Sequence, residues 1–139
     1  MKKIKLLPHT ADIRLEIGGD SLEELFCAAL DGLNRLLKKD IRKKSKAPGV
    51  NFSTGFSSGD NTGLLVDFLN EILSQSLARH VVFNRVKKIN IDRNHLSVWL
   101  VGLKVQKFDR DIKAVSYHGA QIKTGAPQKP YKATVVLDI

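Results

Sequence analysis

The stretch Asp12-Ile13-Arg14-Leu15-Glu16-Ile17-Gly18-Gly19-Asp20-Ser21-Leu22-Glu23-Glu24 changes its hydrophobic period halfway along, and that change decides the fold class. From Asp12 to Ile17 apolar and charged residues alternate, the pattern of a strand with one buried face. Gly18-Gly19-Asp20 breaks the extended run. Ser21 then offers an N-cap, and Glu24 three residues later completes a capping box. Leu22, Leu25, Phe26, Ala29, Leu30, Leu33 and Leu37 follow at helical spacing and make one apolar face. Glu23 and Glu24 open this helix and Lys38 and Lys39 close it, the charge order that a helix macrodipole favours.

Working outward, Lys38 to Lys46 holds six basic residues (Lys38, Lys39, Arg42, Lys43, Lys44 and Lys46) and one acid, Asp40, before Pro48-Gly49 turns the chain. Val50 to Phe56 is a weaker strand, blemished by Gly55. The polar loop from Ser57 to Gly63 supplies N-caps for a second amphipathic helix, with Leu64, Leu65, Phe68, Leu69, Ile72, Leu73 and Leu77 on its buried side. The remainder is mostly extended. Val86 to Ile91 and Leu96 to Val101 flank a hairpin turn at Asp92-Arg93-Asn94-His95, and Lys113 to Ile122 is a further strand. Gly125 through Pro130 reads as a loop, and Tyr131 to Ile139 as a last strand. No repeat, low-complexity tract or linker divides residues 1–139, so one domain is expected. Two helices among about six strands predict an α+β fold of two layers, with the helices on one face of an antiparallel or mixed sheet.

With 139 residues the chain can bury a core without staples. Its hydrophobic share of 42% and charged share of 27% are ordinary for a globular domain. No apolar run approaches the roughly 20 residues that cross a bilayer, and the basic start has no apolar segment of signal-peptide length. The expected compartment is the cytoplasm. Cys27, the single cysteine, cannot make an internal disulfide or a cysteine metal cluster; between Phe26 and Ala28, a buried and inert thiol is expected. A formal charge of +9 favours polyanionic partners, RNA or DNA before membrane, through long-range attraction that carries no specificity.

Three groups of residues can carry chemistry. His9-Thr10-Ala11-Asp12 precedes a strand, polar side chains interrupt Lys113-Ala114-Val115-Ser116-Tyr117-His118, and Asp138 adjoins the carboxylate of Ile139. Taken singly, each has a structural account: hydrogen-bonded histidines, a turn capped by Asp12, a chain end kept soluble by Asp138. Together, Asp12, Asp138 and the Ile139 carboxylate are hard anionic oxygen donors. If the first and last strands pair, the three converge on one cation such as calcium or magnesium. There is no glycine-rich phosphate loop, zinc-ligand spacing or nucleophile elbow, and the histidines are too scattered to propose an acid–base pair. Trp99, alternating with apolar neighbours, is expected in the core rather than stacked on a base.

These segments, read in order, resemble the archease family. His9-Thr10-Ala11-Asp12 is similar to its opening motif, and Ser21-Leu22-Glu23-Glu24-Leu25-Phe26 with Ala28-Ala29 to its first-helix signature. Asp60, Leu64-Leu65 and Phe68-Leu69-Asn70-Glu71-Ile72-Leu73 resemble the second. Lys113-Ala114-Val115-Ser116-Tyr117-His118 is similar to the family's Lys-Ala-Val-Thr-Tyr-His stretch, with Ser116 in place of threonine. Val135-Val136-Leu137-Asp138-Ile139 resembles the family's ending. Gly102-Leu103-Lys104 departs from the usual Gly-Glu pair, and relatives are more often acidic.

The resemblance implies a two-layer α/β sandwich. It also implies a non-catalytic accessory factor for the tRNA-splicing RNA ligase that joins 2′,3′-cyclic-phosphate and 5′-hydroxyl ends, promoting ligase guanylylation and multiple turnover. The implied metal ligands are Asp12, Asp138 and Ile139, the oxygen sources reached above, and calcium is the first candidate among divalent ions. An alternative expectation is a tRNA-binding module or chaperone for an RNA-modifying enzyme such as a methyltransferase. Direct tRNA contact would then use Lys38, Lys39, Arg42, Lys43, Lys44 and Lys46. The resemblance assigns no role to His9, Tyr117 or His118.

Overall fold

In the computed structural model, which describes residues 12–41, 49–126 and 129–139, Ser21 Oγ accepts the Glu24 N–H at 3.1 Å. The cap sits where the sequence pattern puts it, between strand β1 (Asp12–Gly19) and helix α1 (Leu22–Leu37). Strand β2 (Val50–Ser57) leads to helix α2 (Asn61–Arg79). There Asp60 is the N-cap, its Oδ1 accepting the Gly63 N–H at 2.7 Å. His80 ends α2 in the left-handed region, with φ of 53°, and directs the chain into strand β3 (Val81–Asp92). Strands β4 (His95–Lys104), β5 (Ala114–Ala126) and β6 (Lys129–Asp138) complete the described elements.

All the described strand pairings are antiparallel, one of the two forms expected, but the six strands divide between two sheets, of order β1-β6-β5 and β2-β4-β3, instead of forming one. Helix α1 packs on β1, β3 and β6, and α2 on β5, β3 and β4, so each helix bridges both sheets. Their apolar faces meet in one core: Leu25, Phe26, Leu30 and Leu33 of α1 lie with Leu64, Phe68, Leu69 and Ile72 of α2. The Phe26 and Phe68 rings are 5.6 Å apart. Each such side chain contributes roughly 1.5–3 kcal/mol by leaving water.

Side chains of α1 also bond backbone groups on one open sheet edge. Edge strand β3 is bulged between Val82 and Arg85, and there the Phe83 carbonyl accepts Asn34 Nδ2 at 2.8 Å. Glu23 Oε1 accepts the Ile91 N–H of the same strand at 3.2 Å. Asn34, on the buried face of α1, thus has a backbone to serve. Each such bond removes one free backbone group from an edge that could otherwise pair with another chain.

Several boundaries move. β3 begins at Val81, five residues before the expected Val86, because its bulge interrupts the alternation that marks a strand. The hairpin turn is where expected, with Arg93 and Asn94 both at positive φ (50° and 61°), the backbone of a type I′ turn. β5 runs on to Ala126 and β6 starts at Lys129, which narrows the loop expected from Gly125 to Pro130. Trp99 is a correction. It is 45% exposed on the outer face of β4, because Leu96, Val98 and Leu100 supply that strand's inward residues.

Candidate functional site

Asp12 and Asp138 are direct cross-strand partners, since β1 pairs β6 in a register that runs from Asp12↔Asp138 to Gly19↔Tyr131. Directly opposite residues share a face of the sheet. Ile13 and Leu137 of the next pair turn to the core, while Asp12 and Asp138 are exposed. On its other side Asp138 pairs with Ala114 of β5, and the Lys113 N–H donates to the Asp138 carbonyl at 2.8 Å. The half-buried Ile139 packs at the edge of the core. The conditional pairing of first and last strands is therefore met for Asp12 and Asp138. Among the described residues no group of three or more His, Cys, Asp and Glu side chains is placed to hold a metal. The register puts two carboxylates, oxygen donors of the type that hard cations take, on one exposed face of the sheet. His9, Thr10 and Ala11 of the opening motif lie outside the described residues.

Two segments singled out separately in the sequence turn out to be docked on each other. Asn70 on α2 donates Nδ2–H to the Val115 carbonyl and accepts the Val115 N–H at Oδ1, both at 2.8 Å. One turn earlier on α2, Asp67 accepts a hydrogen bond from the Tyr117 hydroxyl. Thr62 Oγ1 accepts the Ile122 N–H at 3.3 Å. Helix α2 thus serves β5 along the edge that β6 leaves open. The hydrogen bond to Asp67, then burial and the Asp67 charge, hold the Tyr117 phenol above its ordinary range.

Between Ser116 and Gln121 the β5–β6 register is irregular, and Gly119 takes a positive φ of 81°. Ser116 Oγ accepts the His118 N–H at 3.1 Å, and Tyr117 and His118 are both exposed on this bulge. Of the side chains that matter here, Asn70 falls in the second-helix motif and Thr62 in the polar loop before α2, but neither was given this role, and Asp67 went unread. The only signal of Asp67 was polarity on a helix flank.

At the end of α1, Asp109 clamps the start of the basic run. It accepts the Lys39 N–H at 2.7 Å, lies 3.5 Å from Lys38 Nζ, and its own N–H donates to the Leu37 carbonyl. The Lys39 N–H first, and the Lys38 ammonium with it, hold the Asp109 carboxyl below its usual range. Arg42, Lys43, Lys44 and Lys46 lie outside the described residues. Cys27 is half-buried on α1; burial foremost, then Glu23 and Glu24, push its thiol up and keep it from the reactive thiolate form. No described helix is long and apolar enough to cross a membrane.

Comparison with known proteins agrees with this architecture. The model of the archease protein family matches residues 5–139. The chain is similar to a protein named archease from Methanosarcina acetivorans, 33% identical, with 99% of this chain and 97% of the relative covered. It is also similar to one from Pyrococcus furiosus, 29% identical over the full length of both. Its fold is similar to the solution structure of Methanobacterium thermoautotrophicum protein 1598, with a TM-score of 0.72, 25% identity and 96% of each chain covered. A crystal structure from Thermotoga maritima, described as an archease and possible chaperone, shares the fold at a TM-score of 0.67 and 21% identity, covering 100% of this chain and 99% of that one.

Proposed function

This chain belongs to the archease family, and from that premise we propose that it acts in the cytoplasm as a non-catalytic activator of the tRNA-splicing RNA ligase. In this reading it promotes guanylylation of the ligase that joins 2′,3′-cyclic-phosphate and 5′-hydroxyl ends, and so supports multiple turnover. The observation that carries the reading is the Asp12↔Asp138 register, which brings an acid from each end of the chain into one exposed row. Activation of this kind needs no nucleophile here. A factor that binds the ligase's transient geometry more tightly than its resting one accelerates the step by differential binding.

A divalent cation, calcium first, would be held by Asp12, Asp138 and the carboxylate of Ile139. When bound it would supply positive charge and neutralise two facing carboxylates. The chain's own part is to set that row: β6 carries Asp138 between β1 and β5, and Lys113 fixes its carbonyl.

The test is stimulation of a cognate ligase by substoichiometric protein, read as turnovers and as formation of the guanylylated intermediate. The protein alone should neither join nor cleave RNA. Asp12→Ala, Asp138→Ala and a short extension after Ile139 should each weaken stimulation while cooperative unfolding persists. Full stimulation by all three would remove the cation row from the mechanism; no stimulation by the unaltered protein would remove the activator role.

The charge of +9 favours a second reading, direct tRNA binding through Lys38, Lys39, Arg42, Lys43, Lys44 and Lys46, as a module or chaperone for another RNA-modifying enzyme. Neutralising four of these residues should flatten the dependence of RNA affinity on salt. Ligase stimulation that survives the change would make tRNA contact a side property of the activator.

A further inference from the structure

The outer face of the β2-β4-β3 sheet carries the chain's only tryptophan in an unusual setting. Trp99 is on the central strand, 45% exposed, with Nε1–H donating to Asn51 Oδ1 at 2.9 Å. The bond fixes an aromatic ring in solvent, where a flexible side chain would suffice for solubility. Beside the ring lies an open depression of about 390 Å³ lined by Ser53, Gly55, Ser97 and Lys88. Its floor is made of small residues, and at Gly55 a Cβ would press to 3.2 Å from the Leu96 carbonyl.

Charge is concentrated at the same place by a backbone device. In Val86-Lys87-Lys88-Ile89 a strict alternation would put one lysine and one apolar residue on each face. The ladder instead shifts between Val86 and Lys88. Val86 and Ile89 both pack against the core, and Lys87 and Lys88 are both exposed. Lys88 becomes the cross-strand partner of Trp99, and the exposed Arg85 that of Val101. A β-bulge that re-aims side chains in this way is a designed feature of a strand.

We infer that this face binds single-stranded RNA, with one base stacked on Trp99 and the flanking phosphates against Arg85, Lys87 and Lys88. An aromatic platform beside a basic track is the general solution for sequence-tolerant single-strand binding. Lysine is depleted at the centre of protein–protein interfaces, so a tryptophan partnered by lysine fits a polyanion better than a protein. A duplex keeps its bases stacked and offers the ring nothing. The site is on the other sheet from the Asp12–Asp138 row, and it does not depend on ligase activation.

Because Trp99 is the only tryptophan, its fluorescence reports the site directly. A 12-nucleotide oligouridylate should quench it saturably, and the same length of duplex RNA should do so far less. By anisotropy of a labelled oligonucleotide, Trp99→Ala should weaken binding roughly 5- to 150-fold and Trp99→Phe much less. Lys88→Ala, like Arg85→Ala, should reduce the slope of log K against log salt by about 0.7. The proposal is overturned if oligouridylate leaves the fluorescence unchanged, or if folded Trp99→Ala binds RNA like the unaltered protein. Loss of ligase stimulation by that variant with RNA affinity intact would make the face a protein-docking surface instead. Should Trp99→Ala fail to unfold cooperatively, Trp99→Phe and Lys88→Ala decide alone, and unchanged affinity and salt slope in both overturn the proposal.

Discussion

Asn70 of α2 and Val115 of β5 are joined by two hydrogen bonds of 2.8 Å, one to each backbone group of Val115. A side-chain amide here does what a neighbouring strand would do, at the edge of a sheet whose order is β1-β6-β5. Asn70→Ala strands one donor and one acceptor in a half-buried place. We expect a loss of about 2–3 kcal/mol, since an unsatisfied buried group costs roughly 1–3 kcal/mol. The urea midpoint should fall with an unchanged m-value. A loss below about 0.5 kcal/mol would mean that water replaces the amide, and that the helix–strand clamp is incidental.

The same pair shows what the sequence could and could not convey. The apolar spacings of α1 and α2 announced both helices, and Ser21 and the polar loop from Ser57 to Gly63 announced about where they begin, because caps and periodicity are local. The partnership of Asn70 with Val115 was not legible, because a backbone acceptor has no residue type and lies 45 positions away. Bulges hid in the same way. Val81-Val82-Phe83 lacks alternation because the ladder shifts after Val82, and Trp99 looked like a core residue because its inward neighbours were mistaken for its companions. For the Asp12–Asp138 row, the sequence offered the donor types and left the pairing as a condition. The register meets that condition for both aspartates.

Like charges directly opposite on a sheet oppose each other. In chelator and at low salt, Asp138→Asn should therefore raise Tm slightly, by about 1–2 °C. Added calcium should raise the Tm of the unaltered protein with ligand concentration, as binding to the native state requires, and leave Asp138→Asn nearly unmoved. Differential scanning calorimetry with and without calcium reads both effects without any ligase present. Equal calcium responses in the two proteins would place the binding ion elsewhere.

Gly102 faces the start of β3 where no side chain fits. A Cβ there would lie 2.6 Å from the Val82 carbonyl oxygen, 2.5 Å from Val81 Cγ1 and 3.0 Å from Phe83 Cα. Two of those atoms are backbone and cannot step aside cheaply. Gly102→Ala should destabilise by about 1–3 kcal/mol, the usual cost of overpacking, and protection of the Val81–Phe83 amides from hydrogen exchange should drop with it. Leu103, half-buried at the neighbouring position, gives the contrast: Leu103→Glu should cost less than Gly102→Ala. The reverse order would mean that the β3–β4 crossing is looser than the contacts around Gly102 require.

The Tyr117–Asp67 contact makes a pH prediction whose sign follows from the direction of the phenol's shift. The native state holds the Tyr117 proton more tightly than the unfolded chain does, because the hydroxyl donates to Asp67. Its contribution to stability is fully present below the ordinary phenol value of 10.0 and is lost as pH rises through the higher native value. Above that, a phenolate beside the Asp67 carboxylate is repelled. Tyr117→Phe should accordingly be less stable than the unaltered protein at pH 8, by less than about 1 kcal/mol because the ring is largely exposed and screened. The gap should close and then reverse as pH climbs past the phenol range. Chemical denaturation at a series of pH values measures the gap, and absorbance near 295 nm should lose its late-titrating tyrosinate component in the variant. A gap that stays constant from pH 8 to alkaline pH would show that Tyr117 stabilises this bulge by packing alone, with Asp67 a bystander.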